Sequence, residues 1–135
     1  MQMVSLAETE KITINLGPVD LGQIDLLVQE GFYSNRTDLI RTAIRNQLAQ
    51  HGDAVRSSVA RRTLALGVQH VTRQDLEALH AAGHMLQINV LGLASIAEDV
   101  PPALALATIE SISVLGTLRA SPSVRAALRD RILSP

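Results

Sequence analysis

Near the start of the chain, Lys11, Thr13 and Asn15 alternate with Ile12, Ile14 and Leu16 in the segment KITINL. Alternation is the period of a β-strand with one buried face, so the three polar side chains share the other face. They are a cation, a hydroxyl and an amide. All three donate hydrogen bonds, and the hydroxyl and amide also accept them. Few other positions combine types and spacing that could do chemistry. His80 and His84 stand four apart, a spacing that puts two metal ligands on one helix face. Gly83 is expected to end the helix between them, and there is no cysteine and no third close ligand. Glu98 and Asp99 adjoin Val100-Pro101-Pro102 and read as a turn and helix start, not as an acid/base pair. Ser57, Ser58, Arg61 and Arg62 form no nucleophile–base pattern, and Gly92 and Gly116 are lone turn glycines. No catalytic residue, metal site or cofactor is expected, and the chain does not read as an enzyme.

The polar face of KITINL needs elements to hold it. Gly17-Pro18 marks a turn into a helix, because the N–H that proline lacks is unpaired anyway in the first helical turn. Leu21, Ile24, Leu27 and Val28 recur at helical spacing, and Gly31 suits the left-handed residue that ends such a helix. Ser34 reads as the next N-cap, with Asp38 in the first turn. Leu39, Ile40, Ala43, Ile44 and Leu48 then mark the buried stripe of a second helix over 35–50. Phe32 is expected in the core and Tyr33 half-buried. His51-Gly52-Asp53 reads as a stop and restart before a short helix at 54–62.

A six-residue strand cannot stay unpaired without cost, and a strand-helix-helix unit of this size is too small to hold a core alone. A second copy solves both problems. Two KITINL strands pair antiparallel about a two-fold axis, and four helices close over Ile12, Ile14 and Leu16. The ribbon then presents Lys11, Thr13 and Asn15 twice, and a two-stranded ribbon fits the DNA major groove. At this point the chain resembles the ribbon-helix-helix family, the MetJ/Arc/CopG class of DNA-binding proteins. The resemblance rests on KITINL, on the helix ending at Gly31 and on YSNRTDLIRTAIR, and it runs from about Glu10 to Gln50. It implies that Lys11, Thr13 and Asn15 contact bases. It also implies that the backbone N–H groups at Ser34, Asn35 and Arg36 hold a phosphate at a helix N-terminus, with help from their side chains.

The totals set limits on that reading. The chain has 135 residues, 47% of them hydrophobic and 19% charged, so it is globular, with a core that must be aliphatic because Phe32 and Tyr33 are the only aromatics. The net charge is −1, which gives no general pull toward nucleic acid. Residues 1–50 hold Lys11, Arg36, Arg41 and Arg45 against six acidic side chains, with Glu8 and Glu10 close to the reading face. Binding outside a specific target should therefore be weak. Arg41 and Arg45 are expected to face solvent or pair with acidic neighbours. The absence of cysteine fits a reducing compartment, and no signal peptide or membrane span is read. A cytoplasmic, nucleoid-associated bacterial protein is expected.

The rest of the chain repeats. Leu64-Ala-Leu66-Gly67-Val68 resembles Ile88-Asn-Val90-Leu-Gly92, which resembles Ile112-Ser-Val114-Leu-Gly116. Each is followed by a patch compatible with a helix, at 73–82, 101–107 and 122–132. A period in the twenties built from one strand and one helix is the signature of a βα solenoid similar to leucine-rich repeats, although the ladder asparagine is missing. A compact α/β or ACT-like domain is the alternative. The expected fold class is α+β. The expected order is an arm at 1–10, a ribbon-helix-helix domain forming an intertwined dimer at 11–50, a linker or short helix at 51–62, and a βα-repeat oligomerisation domain at 63–135. The last helix, with Val124, Ala127, Leu128 and Ile132 inside, would cap the stack.

The function expected is a sequence-specific DNA-binding transcriptional regulator, a repressor by preference. Its partners would be double-stranded DNA and itself, as a homodimer joined into larger assemblies through residues 63–135. The alternatives are an antitoxin-like protein of the same fold and a self-assembling scaffold.

Overall fold

A computed structural model of the chain describes residues 9–133. The arm expected at 1–10, including Glu8, lies largely outside the described residues. The chain divides into two compact units, one spanning Lys11–Ser58 and the other running from Val59 onward.

In the first unit, α1 spans Pro18–Gln29 and α2 Arg36–Gln50, and α3, Gly52–Arg62, runs across the boundary at Ser58. Pro18 opens α1 after Gly17 in an extended conformation. Gly31 ends the helix in the left-handed region, at φ 85°. Its N–H donates to the Val28 carbonyl, and the Phe32 N–H reaches back to the Leu27 carbonyl, so two orphan carbonyls are satisfied. The cap of α2 is Asn35 rather than Ser34. Its side-chain oxygen accepts the Asp38 N–H at 2.8 Å, while the Asp38 carboxylate accepts the Ser34 N–H at 3.0 Å. The third helix starts at Gly52, two residues earlier than expected, with only His51 between it and the end of α2.

Residues 11–16 adopt no secondary structure and join no sheet. A strand exists by pairing, and among the described residues a single copy offers these six no partner. The helical stripe is likewise open, with Leu39 and Ile40 half-buried and Ile44 and Leu48 exposed. Phe32, expected in the core, is 70% exposed because nothing in one copy covers it. Among residues 9–58 no side chain is buried.

The second unit has a core. β1 (Ala65–Val71), β2 (Leu86–Ile96), β3 (Ile109–Arg119) and β4 (Ile132–Leu133) form one parallel sheet in the order β1-β2-β3-β4. α4 (Arg73–Ala82), α5 (Pro102–Thr108) and α6 (Pro122–Ala127) follow the first three strands in turn. Leu76, Ala105 and Val124 from these helices pack with Ile88, Val90, Ala94, Ile96, Ile109, Ile112 and Leu128 in a wholly aliphatic core. Gly67, Gly92 and Gly116 stand side by side across the sheet, each with φ between 119° and 138°. The Cβ that Gly92 lacks would lie 2.1 Å from the Gly67 carbonyl oxygen, and Gly116 stands in the same relation to Gly92. The glycines are therefore required twice, for conformation and for strand approach.

Two expectations are corrected. The first repeat is offset by one residue, since Ala65 pairs with Val90 and Leu64 falls outside β1. The last helix does not reach 132. It stops at Ala127, a 3-10 turn follows at Arg129–Arg131, and Ile132 enters β4 beside Ile112. Arg131 fixes that turn by donating from Nη1 to the carbonyls of Leu106 and Ile109, at 2.6 and 2.7 Å.

Candidate nucleic-acid interface

The candidate interface is built in the unit Lys11–Ser58. Lys11, Thr13 and Asn15 are exposed on the unpaired segment before α1. So are the apolar residues that alternate with them: Ile12 is 76% exposed, Ile14 58% and Leu16 42%. One copy therefore separates neither face of this segment from water.

Ser34, Asn35 and Arg36 do lie together at the N-terminus of α2, where unpaired amides and the helix dipole favour an anion. Each already has a partner there. The Ser34 amide is taken by Asp38, and the Asn35 side chain caps the helix. The Arg36 guanidinium forks onto the Asp25 carboxylate of α1, with Nε and Nη2 at 2.7 and 2.8 Å. The hydrogen bond from Arg36, aided by its charge, holds the Asp25 carboxyl below its ordinary pKa. The same hydrogen bond raises Arg36 above its own.

Asp25 and Asp38 are thus the residues that sequence reasoning left out of the site. Asp38 was findable, because an acidic side chain three residues after an Asn cap is a reciprocal capping pattern. The pairing of Asp25 with Arg36 joins two helices across a turn, and no spacing rule announces it.

Electrostatics weigh against indiscriminate binding. Lys11, Arg36, Arg41, Arg45 and Arg56 are balanced in this unit by Asp20, Asp25, Glu30, Asp38 and Asp53. Arg36 and Arg56 spend charge on Asp25 and Asp53. Affinity that rests on neutralised phosphates has little to draw on here.

Elsewhere, His80 lies in the last turn of α4 and Gly83 ends that helix in the left-handed conformation, so His84 falls beyond it. Among the described residues no three histidine or acidic side chains gather as a metal site, and no helix is long and apolar enough to cross a membrane.

Comparison with known proteins gives one match. The model of a family described as the ribbon-helix-helix transcriptional regulator family matches residues 7–125, which takes in the first unit and most of the second. No curated protein and no solved structure matches the chain.

Proposed function

Because the chain belongs to the ribbon-helix-helix transcriptional regulator family, we propose that it is a homodimeric, sequence-specific DNA-binding regulator, a repressor that occupies its operator. Two copies of residues 11–16 pair antiparallel and enter the major groove. Lys11, Thr13 and Asn15 contact base edges, where a cation suits guanine and an amide suits adenine. The Ser34, Asn35 and Arg36 amides and side chains contact a flanking phosphate. To do so, Arg36 and the Ser34 amide exchange Asp25 and Asp38 for the phosphate, so these carboxylates set a threshold that only a well-seated site passes.

One observation carries this reading: the unit Lys11–Ser58 has two capped helices and no buried side chain. Burying a large aliphatic side chain contributes about 1.5–3 kcal/mol. Ile12, Ile14, Leu16, Phe32, Ile44 and Leu48 hold that contribution in reserve. Pairing through the ribbon releases it and satisfies the strand backbone at the same time.

The strand–helix units from Ala65 onward form a short repeat stack, similar in plan to leucine-rich repeats, that joins dimers into larger assemblies. The protein acts in the cytoplasm on the nucleoid. A C-terminal unit with its own core weighs against the antitoxin alternative, in which the toxin-binding tail is disordered.

The test is selection of bound duplexes from a random pool, run on the native chain and on the Lys11→Ala/Thr13→Ala/Asn15→Ala variant. The native chain should enrich a palindromic or repeated site and the variant should lose that preference. Equal enrichment by both, or by neither, would overturn the assignment of the ribbon as the reader.

A further inference from the structure

The parallel sheet has two open edges. β1 pairs with β2 on one side and, among the described residues, with no strand on the other. β3 pairs with β2 on one side, and on the other β4 covers only Ile112 and Ser113. From Val114 onward that side of β3 meets no strand among the described residues. Unpaired strand backbone needs donors and acceptors, and an open edge is a template for a further strand. The two edges are also built alike. The register runs straight across the sheet, from Ala65 to Val90 to Val114 and from Gly67 to Gly92 to Gly116. The Gly67 carbonyl is turned toward Gly92, and the Gly92 carbonyl toward Gly116, each oxygen 2.1 Å from where a Cβ would stand. Gly116 shares their backbone conformation, at φ 123°, so its own carbonyl is turned to the open edge, and the residue is exposed. At the opposite edge, a Cβ built on Gly67 would meet nothing within 4 Å.

We infer that β1 of a second copy docks on the open half of β3, parallel and in the register of the existing ladder, so that the sheet runs on from one chain into the next. The geometry of that edge selects the occupant. An incoming strand must carry a glycine opposite Gly116, because a Cβ there would strike the Gly116 carbonyl as one on Gly92 would strike that of Gly67. β1 carries Gly67 at that rung, already at φ 119°. The ends fit as well. In this register Ala65 falls against Val114, the first residue that β4 leaves unpaired. β1 begins at Ala65, after the chain turns out of α3 through Thr63 at φ 53°, so the incoming strand and β4 share the edge without overlap. Leu66, 72% exposed on the edge strand, comes to lie beside Leu115, as Leu91 does within the chain. The Leu118 carbonyl is already held by the Arg125 guanidinium, so the rungs from Ala65 to Val68 carry the seam. A chain cannot make this pairing with itself, because β2 stands between its own β1 and β3. The contact is head-to-tail, and such contacts close into a ring or run on as a filament. The inference rests on the reading above that the C-terminal unit joins copies into larger assemblies, and needs nothing from the DNA-reading role.

The chain has no cysteine, so two full-length single variants, Val68→Cys and Thr117→Cys, each carry one unique thiol. Across the proposed seam these positions are direct neighbours, about 5 Å apart, within reach of a disulfide. Within one chain they are two strands apart, about 10 Å, which is out of reach. Mild oxidation of the two variants mixed in equal amounts should give a covalent dimer, and oxidation of either variant alone should give none, because a head-to-tail seam never sets a residue beside its own copy. Sedimentation of the native chain over a range of concentrations runs alongside and should show species larger than a dimer. Leu66→Lys puts a charge on the edge strand and should remove those species while leaving the circular dichroism spectrum unchanged, because Leu66 supports little of the protomer core. If the native chain never exceeds a dimer, the assembly reading has failed and the inference falls with it. If larger species form but the mixed variants do not cross-link, the assembly reading stands and this seam alone is overturned. A covalent dimer from one variant on its own, or larger species that survive Leu66→Lys, also overturns it.

Discussion

In the unit from Val59 onward, Ile88, Val90, Ile109 and Ile112 are sealed from water, whereas in the unit Lys11–Ser58 Ile12, Ile14 and Leu48 each expose more than half of their surface. Both units are aliphatic and both have well-capped helices. They differ in where the partner of each apolar face is encoded. β2 finds β1 and β3 within the same chain and buries Ile88 and Val90 under α4 and α5. The segment 11–16 finds no such neighbour among the described residues, and its unit leans on half-buried apolar contacts such as Ile24 and Ile40 and on local devices: the Gly31 turn, the Asn35–Asp38 cap and the Asp25–Arg36 pair. A helix cap contributes about 1 kcal/mol and a solvent-screened ion pair little, where a buried leucine or isoleucine contributes about 1.5–3 kcal/mol. The comparison teaches that one unit closes a core within the protomer, whereas the other leaves its apolar residues uncovered in a single copy.

The largest effect should come from breaking the pair. Ile14→Asp puts a carboxylate at the centre of the proposed ribbon face in both copies, and burying an unpaired charge there costs several kcal/mol. Sedimentation should report loss of the dimer, and circular dichroism a loss of helix equivalent to α1 and α2, with the sheet of the second unit retained. If Ile14→Asp stays dimeric, the first unit does not depend on pairing and the contrast between the units disappears.

Ile88→Ala attacks the other side of the comparison. Ile88 is fully buried on β2, and truncation should cost about 2–5 kcal/mol. The melting transition of the second unit should fall, and the fall should not depend on protein concentration. The transition of the first unit should shift with concentration, as linkage to dimerisation requires. Differential scanning calorimetry across a tenfold dilution separates the two.

How much of this could be read in advance follows from the same contrast. The helix at 73–82 was legible to the residue, because Thr72 and Asp75 form a capping box and Gly83 a left-handed stop. The Gly67, Gly92 and Gly116 ladder was visible as a repeat. Its one-residue offset was not, since strand pairing fixes register and the sequence between Gly67 and Gly92 simply holds one residue more. The end at Ala127 was hidden because Ile132 has helical spacing from Leu128 and is also a good strand residue. Only the docking of the last turn through Arg131 decides between the two. In the candidate interface, Lys11, Thr13 and Asn15 stood out by alternation alone. Asp25 did not, because its role comes from the angle between two helices and not from its neighbours in sequence.

A smaller effect tests a local device in the unit that has a core. Thr72→Ala removes the acceptor for the Asp75 N–H, 3.1 Å from the threonine oxygen, and caps of this kind contribute about 1 kcal/mol. Asp75 is held below its ordinary pKa by hydrogen bonds from the Thr72 backbone and side chain, with help from His70. Its contribution is therefore present above the ordinary aspartate pKa and lost as the pH falls through the lowered one. Urea titrations of the native chain and the variant should differ at neutral pH. The gap should narrow once the pH drops below the usual aspartate range, because the native chain loses the Asp75 part of the box there.

The smallest expected change in stability is also the sharpest probe of the interface. Asp25→Asn withdraws the carboxylate from Arg36. Both side chains keep about half of their surface open to water, so folding should lose little at neutral pH. The sign follows from the shifts: Asp25 is lowered by its hydrogen bond with Arg36, so what the pair contributes is present at neutral pH and fades only in acid, below the ordinary aspartate pKa. Binding should move the other way. A released Arg36 meets a phosphate without first leaving Asp25, so affinity for the selected site should rise a few-fold. The dependence of log K on log salt should steepen by up to about 2 per dimer, one for each added phosphate contact. Asp25→Asn combined with Arg36→Ala should return both quantities to or below the native values. If Asp25→Asn leaves affinity and salt slope unchanged, Arg36 does not touch phosphate. Its fork on Asp25 would then be one more local device holding together a unit that has no core of its own.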